Sequence, residues 1–232
     1  MNTHKIVVGV DFSHCSANAF HEALSLTKPG TPITALHVID EKLFLRLAPQ
    51  MNLNKAKVIE EGRVQLEIWA AEQLEGEHLD RVECEVMMGN PMEELLESCY
   101  RHDADLLVLG AHGQERSHDR TGTVASKCVR KAPIPVLLVR YHQERPFYNV
   151  AACIDFSETS ETVVSEAALL ARRFGYHLKI VHVIDPPGEE LVWLLALPSM
   201  RPLAEIPPWR QHATSEMERF MNKMETELDG LE

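Results

Sequence analysis

The sequence predicts an α/β protein with a doubly wound, five-stranded parallel sheet, followed by a partial second copy of the same unit. Over about the first 140 residues, short β-branched runs alternate with segments of helical periodicity. This alternation requires parallel strand pairing with right-handed crossovers. Short sequence words also recur about 144 residues apart, which indicates a duplicated unit.

The first predicted strand and helix open the unit. Residues 6–10 form a continuous apolar run, which is typical of a strand buried on both faces of a parallel sheet. Ser16 is the predicted N-cap of the helix that follows. Ala17, Phe20 and Leu24 then fall on one helical face.

The next elements are a second buried strand over residues 33–39 and a long helix over about residues 53–74. Residues 82–86 come next, where valine and cysteine alternate with glutamate. A period of two with one polar face predicts a strand close to a sheet edge.

The remaining elements complete the βα series. Asn90 is the predicted N-cap of a helix that has Pro91 at its first position. Residues 105–109 form the fourth predicted strand, residues 124–130 a short helix, and residues 135–139 the fifth strand. The sequence therefore predicts one complete unit over residues 1–141.

The second copy begins after a predicted linker over residues 142–148. Asp-Phe-Ser occurs at residues 11–13 and 155–157, and His-Val-Ile-Asp occurs at residues 37–40 and 182–185. Residues 149–232 therefore form a second predicted domain. We expect helices over about residues 160–174 and after Trp209, a strand over residues 178–184, and an apolar helical stripe of Met217, Phe220, Met221, Met224 and Leu228.

Strands three to five of this copy do not occur in the sequence, so its sheet is expected to have an unpaired edge. We expect either that the sequence belongs to a longer chain or that another surface completes the fold.

Composition argues against several functional classes. The formal net charge of −12 is unfavourable for a nucleic-acid surface. The longest apolar run, residues 191–197, is too short to cross a membrane, and no signal-peptide pattern is present, so a cytoplasmic location is expected. The five cysteines form no C-x-x-C pair, which favours reduced thiols over a metal or redox centre.

The loops after the first and fourth strands carry the candidate site, because ligands of doubly wound sheets bind where the strand order reverses. Gly110, His112 and Gly113 follow the fourth strand, and Gly122 and Thr123 open the next helix. Glycines admit an anion close to backbone N–H groups, and a helix N-terminus favours negative charge. The sequence therefore predicts a phosphate site, in which His112 either contacts a phosphate oxygen or closes the turn.

The local charge of this segment favours an anionic ligand, although the net charge of the whole chain is negative. Residues 110–131 contain five basic and two acidic side chains, a local net charge of +3. The basic residues are Arg116, Arg120, Lys127, Arg130 and Lys131. An alternative interpretation is that the last three lie on a solvated helix face.

These residues resemble the universal stress protein family, whose nucleotide-binding members carry G-x2-G-x9-G-[S/T] after the fourth strand. The resemblance implies an adenine nucleotide alpha hydrolase-like, Rossmann-like fold. It also implies that Gly110, Gly113 and Gly122 line the phosphates and that Thr123 hydrogen-bonds them. By the same resemblance, Asp11 lies near the ribose and adenine. In this chain eight residues separate the second and third glycines, one fewer than in the family pattern.

Asp11 has two interpretations from its position alone, since an aspartate after a strand either contacts a ribose hydroxyl or Mg²⁺, or caps the following helix. Val38 resembles the family residue whose backbone contacts the adenine edge. The candidate ligand-binding residues are Asp11, Val38, Gly110, His112, Gly113, Gly122, Thr123 and Val124.

We therefore expect a stress-response protein that binds ATP, alone or with Mg²⁺, or a related adenine nucleotide. No residue pair stands out as nucleophile and base, so little or no hydrolysis is expected and the protein is not predicted to be an enzyme. Homo-oligomerisation or pairing of the two domains is expected. The alternative function is an interaction module of the same fold that binds no nucleotide.

Overall fold

The computed structural model describes residues 5–27, 30–74, 79–113, 121–140, 149–184 and 208–231. The chain divides into two compact units, one over residues 2–144 and one that begins at Arg145. The predicted linker over residues 142–148 lies outside the described residues.

The first unit follows the predicted βα alternation. Its strands are β1 (Ile6–Gly9), β2 (Ile33–Asp40), β3 (Val82–Gly89), β4 (Leu106–Gly110) and β5 (Val136–Val139). Its helices are α1 (His14–Leu26), α2 (Glu41–Met51), α3 (Lys55–Gln73), α4 (Pro91–Arg101) and α5 (Thr123–Lys131), with a 3-10 turn at Leu79–Arg81.

All five strands are parallel, in the order β3-β2-β1-β4-β5. The chain adds strands outward from β1 to β3, then returns to place β4 on the other side of β1. The strand order therefore reverses between β1 and β4, as the sequence predicts, and β3 is an edge strand. The prediction of a doubly wound sheet is confirmed.

The core lies on both faces of this sheet. On one face Phe20 of α1 and Leu66 of α3 are 0% exposed and pack against β1 and β2. On the other face Leu95 of α4 and Cys128 of α5 lie in one buried cluster with residues of β1, β2 and β4. Full burial of an aliphatic or aromatic side chain of this size contributes on the order of 1.5–3 kcal/mol.

Two helical predictions need correction. The N-cap of α1 is Ser13, whose Oγ accepts a hydrogen bond from the N–H of Ser16 at 3.2 Å, so Ser16 lies inside the helix. Sequence reasoning also missed α2, which begins at an Asp40 cap and contains Pro49. No residue of α2 is fully buried, and the proline inside it argued against a helix in the sequence.

The second unit contains β6 (Asn149–Ile154), α6 (Glu158–Phe174), β7 (His177–His182), α7 (Pro208–Lys223) and α8 (Glu225–Leu228). The two strands are parallel. Phe220 and Met224 are buried in the core of this unit, with Met217 and Leu228 packed against them. The predicted stripe is therefore core packing, except that Met221 is 38% exposed.

The duplication extends to local geometry. Phe12 and Phe156 follow the first strand of their units, and both adopt positive φ angles, 61° and 64°. In the first unit His37 Nδ1 lies 2.8 Å from the carbonyl oxygen of Val10. In the second, His182 Nδ1 bonds the carbonyl oxygen of Ile154 at 2.9 Å. Both histidines therefore have a main-chain hydrogen-bond partner in their own unit.

Candidate ligand-binding site

A cavity of about 610 Å³ opens at the carboxyl ends of β1, β2 and β4. It lies at the reversal of strand order, where doubly wound sheets bind ligands. All the candidate residues named from the sequence line it: Asp11, Val38, Gly110, His112, Gly113, Gly122, Thr123 and Val124. The structure therefore brings together residues from four separate loop or strand segments, and their contact with a ligand remains a prediction.

The loop after β1 is braced by its own side chains. Asp11 Oδ1 accepts a hydrogen bond from the N–H of Ser13 at 3.0 Å. Ser13 Oγ in turn lies 3.5 Å from the carbonyl oxygen of His112. Since Ser13, and not Asp11, caps α1, the capping alternative for Asp11 is wrong. The Asp11 carboxylate instead orders the loop at the cavity wall.

Gly113 lies directly against this carboxylate. A Cβ added at Gly113 would stand 2.8 Å from Asp11 Oδ2, well inside van der Waals contact. Any larger residue at position 113 would therefore displace the Asp11 side chain. The glycine keeps the loops after β1 and β4 in close approach across the cavity.

Gly110 has a packing role that the sequence did not reveal. A Cβ at this position would lie 2.9 Å from the backbone of Cys15 and Ser16. Helix α1 therefore approaches β4 so closely that only a hydrogen atom fits between them. Gly110 lines the cavity, but its lack of a side chain is already required by the fold.

The start of α5 differs from the start of the other helices in this unit. Helices α1 to α4 each begin with a side-chain cap, from Ser13, Asp40, Asn54 and Asn90 respectively. The N-cap of α5 is Gly122, which has no side chain to supply that bond. The first residues of α5 line the cavity, and the N–H groups of a first helical turn carry the positive end of the helix dipole.

The main-chain N–H of Gly122 has a partner within the protein. It donates to the carbonyl oxygen of Ala111 at 2.8 Å. Gly122 itself lines the cavity, and its place beside the phosphates of a ligand stays a prediction. Thr123, Val124 and Ala125, the first three residues of α5, also line the cavity.

None of the described basic residues of the segment 110–131 lines the cavity. Lys127, Arg130 and Lys131 are exposed on α5 and do not line the cavity. The alternative of a solvated helix face is therefore correct for these three side chains. Arg116 and Arg120 lie outside the described residues. The positive character of the described cavity wall comes from the α5 terminus.

Comparison with known proteins identifies the family. A model of the universal stress protein family matches residues 2–140 and 146–206. The chain belongs to the universal stress protein family. The two matched segments correspond to the two copies of the repeat, so the arrangement is tandem.

Two universal stress proteins of Methanocaldococcus jannaschii are similar in sequence. MJ0531 is 28% identical over 140 residues, covering 59% of this chain and 81% of the relative. MJ0577 is 27% identical over 154 residues, covering 59% of this chain and 94% of the relative.

A universal stress protein of Archaeoglobus fulgidus has a similar solved structure, with a TM-score of 0.57 and 18% identity. The match covers 84% of this chain and 72% of that one. At 18% identity, this structural similarity shows that the two proteins share a fold and nothing more.

The candidate site also includes residues that sequence reasoning missed. Leu36 and His37 of β2 line the cavity, as do Pro91 and Leu95 of α4 and Ser16 of α1. These residues read as core or cap positions in the sequence. No local signal distinguishes them, because their exposure to the cavity depends on how α1 and α4 pack across the strand ends.

The equivalent aspartate of the second universal stress protein unit is engaged locally. Hydrogen bonds from Ser157, through both its hydroxyl and its main-chain N–H, and from the Ser160 hydroxyl lower the pKa of Asp155 to about 2. In the first unit the Ser16 hydroxyl instead donates to the carbonyl oxygen of Ser13. The two aspartates therefore differ in environment although their sequence context is shared.

The described part of the chain holds neither a membrane-spanning helix nor a metal-binding cluster. None of its helices combines the length and apolar character needed to cross a membrane. Its His, Cys, Asp and Glu side chains form no group of three or more placed to hold a metal ion.

Proposed function

We propose that the first unit binds ATP or a related adenine nucleotide in this cavity, with little or no hydrolysis, as part of a stress response. The observation that carries the proposal is the convergence of all eight candidate residues on one cavity beside the uncapped end of α5. A volume of about 610 Å³ lies within the roughly 300–1,000 Å³ range of small-molecule sites.

The phosphates are placed at the start of α5. The N–H groups of the first helical turn have no intrahelical acceptor, and they favour an anion through the helix dipole. The Thr123 hydroxyl adds a side-chain donor at the same end. Because the Gly122 N–H is bonded to Ala111, Gly122 contributes space for the phosphates and not a donor.

In this proposal the base and the ribose lie against the part of the cavity wall formed by β1, β2 and α4. Leu36, Val38 and Leu95 provide an apolar surface there, which suits the faces of a purine ring. Asp11 has carboxylate oxygens able to accept hydrogen bonds from ribose hydroxyls. Mg²⁺, where present, would be held chiefly by the phosphate oxygens, since Asp11 is the one carboxylate among the described lining residues.

Low turnover follows from the side chains available. Phosphoryl transfer to water needs a group that orients the attacking water and cations that neutralise the developing charge. The described lining residues include no lysine or arginine. We therefore propose that nucleotide serves as a bound ligand.

Thermal unfolding with and without ATP-Mg²⁺ tests this proposal. A ligand at a hundredfold above its Kd stabilises the folded state by about 2.7 kcal/mol. Gly113→Val should abolish the ATP-induced stabilisation, because its side chain would displace Asp11. Asp11→Asn should weaken it, whereas Asp155→Asn, at the equivalent position of the second unit, should leave it unchanged.

Comparing Asp11→Asn with Asp155→Asn distinguishes binding in the first unit from a general effect of losing an aspartate. Wild-type protein that shows no ATP-induced shift at millimolar ligand would contradict the proposal. So would an equal loss of the shift in Asp11→Asn and Asp155→Asn, since the second unit has no glycine loop in this sequence.

A further inference from the structure

The second unit carries an apolar groove of about 380 Å³ between β7 and the helices α7 and α8. Among the described residues β7 pairs with β6 alone, so its other edge presents main-chain N–H and C=O groups along the groove. The lining residues are Leu178, Ile180, Met217, Met221, Leu228 and Leu231.

The first unit shows what fills the equivalent space. The repeated His-Val-Ile-Asp segment makes β7 the counterpart of β2. On the outer edge of β2 lies β3, which is parallel and sets Val82 beside Ile33 and Cys84 beside Ala35. Val82 and Cys84 pack into the core cluster with Leu66 of α3. The space between strand and helix is thus filled by alternate side chains of an extended strand.

The residues on the two strands correspond in detail. Leu178 and Ile180 of β7 occupy the positions of Ile33 and Ala35 in β2, and both line the groove. They alternate with exposed residues, so one face of β7 is apolar toward the groove. An added strand with apolar residues at every second position would therefore direct them onto this face.

Charge gives a further requirement. In the first unit Glu83 of β3 lies directly beside Thr34 of β2. The residue of β7 at the Thr34 position is Lys179, which is exposed. A strand with a carboxylate at the Glu83 position would place opposite charges side by side.

The far wall of the groove is held in place within the second unit. Arg172 of α6 donates to the carbonyl oxygens of Glu227 and Asp229, at 2.7 and 2.9 Å. Lys223 of α7 forms an ion pair with Glu161 of α6. The two methionines of the lining have flexible side chains that adapt to different apolar partners. The groove therefore has a fixed frame and an adaptable surface.

We infer that this groove binds an extended polypeptide segment, which adds to the edge of β7 as a parallel strand. Its alternate residues are apolar and enter the groove, and its residue beside Lys179 is acidic. Main-chain hydrogen bonds supply affinity and the alternate side chains supply selectivity, as in other strand-addition complexes. This activity is independent of nucleotide binding in the first unit.

A peptide based on the chain's own β3 is the appropriate probe. The 232-residue protein is titrated into a fluorescein-labelled peptide of residues 80–89 carrying Cys84→Ala, and anisotropy is measured. Saturable binding is expected. A peptide with the apolar and acidic residues exchanged should bind at least about tenfold more weakly, because every side chain then points to the opposite face. Glu83→Lys in the peptide should weaken binding about two- to fivefold.

Variants of the protein locate the site. Met221→Glu and Ile180→Glu should each weaken binding at least about tenfold, because a charge would enter the apolar groove. Leu169→Glu, at an exposed position of α6 outside the groove, is the matched control and should leave binding unchanged. Met221 is already 38% exposed, so its substitution tests the groove with little risk to folding.

Several results would overturn the inference. These are an absence of saturable binding, equal binding of the two peptide patterns, and equal effects of Met221→Glu and Leu169→Glu. A protein dimer that excludes the peptide and dissociates on Met221→Glu would also overturn it, by showing a second copy as the occupant.

Discussion

The N–H of Gly122 donates a hydrogen bond to the carbonyl oxygen of Ala111 over 2.8 Å. This bond joins the N-cap residue of α5 to the turn that follows β4. The N–H of Gly122 is therefore not among the donors of the proposed phosphate site. Gly122 is therefore tied to the fold through its backbone, while its missing side chain leaves space in the cavity.

Gly122→Ala separates these two roles. A Cβ at this position would lie 3.6 Å or more from its neighbours, and φ is −56°, so the protein accommodates alanine without strain. We expect the free energy of unfolding to change by less than about 1 kcal/mol, because the lower chain entropy of alanine is offset by its poorer preference for the N-cap position. Nucleotide affinity should nonetheless fall about tenfold or more, equivalent to about 1.4 kcal/mol, because the methyl group occupies the cradle. Calorimetric titration with ATP checks this, and unchanged affinity would place the phosphates elsewhere.

Gly110→Ala, in contrast, should lower the stability of the folded protein. Its Cβ would stand 2.9 Å from the backbone of Cys15 and Ser16, which cannot move without displacing α1. We expect destabilisation of about 1–3 kcal/mol, the usual range for overpacking. Urea unfolding of Gly110→Ala beside Gly122→Ala measures the difference. Equal stability of the two variants would show that α1 shifts without cost.

Ser13→Ala removes the N-cap of α1. The Ser13 hydroxyl accepts from the N–H of Ser16, so its loss leaves a helix-terminal donor without its side-chain acceptor. We expect a loss of about 0.5–2 kcal/mol in the free energy of unfolding. Ser25→Ala, at an exposed position near the end of the same helix, should change stability by less than about 0.5 kcal/mol. A comparable loss in both variants would argue against the capping role.

Thiol reactivity should follow burial. Burial, followed by the influence of nearby Cys128, raises the pKa of the Cys99 thiol to about 12. Cys153 is exposed. Alkylation of the native protein at pH 8, followed by peptide mass spectrometry, should modify Cys153 and spare Cys99. Cys153→Ser should remove the rapidly alkylated site. Rapid alkylation of Cys99 would show that α4 opens readily.

The same shift predicts a loss of stability at alkaline pH. The pKa of Cys99 is raised from 9.0, so the folded state holds a proton that the unfolded state releases. The stabilisation is complete below pH 9 and is lost as the pH rises toward 12. Within that window the free energy of unfolding should fall by up to about 1.4 kcal/mol per pH unit from this group. Cys99→Ala should reduce this slope, and an unchanged slope would contradict the assignment.

Particular elements show how far the sequence pattern reaches. Glu83 and Glu85 alternate with apolar residues, and this period of two correctly placed β3 at a sheet edge. Asn90 was correctly predicted as a cap because its side chain and the following proline act within one turn. Ser13 was missed because Ser16 offers the same local chemistry. Only the observed hydrogen bond from the Ser16 N–H to the Ser13 hydroxyl shows that Ser13 is the N-cap and that Ser16 lies inside the helix.

The sequence by itself determined the five strands and all the helices of the first unit except α2, the duplication, and the loops that meet at the strand ends. These features depend on residue periodicity and on glycine positions, which act locally. The tertiary structure decided that Pro91 and Leu95 join the cavity wall, that Gly110 serves helix packing, and that the Gly122 amide is already bonded. Each of these depends on the approach of segments distant in the chain, so no local pattern contains it.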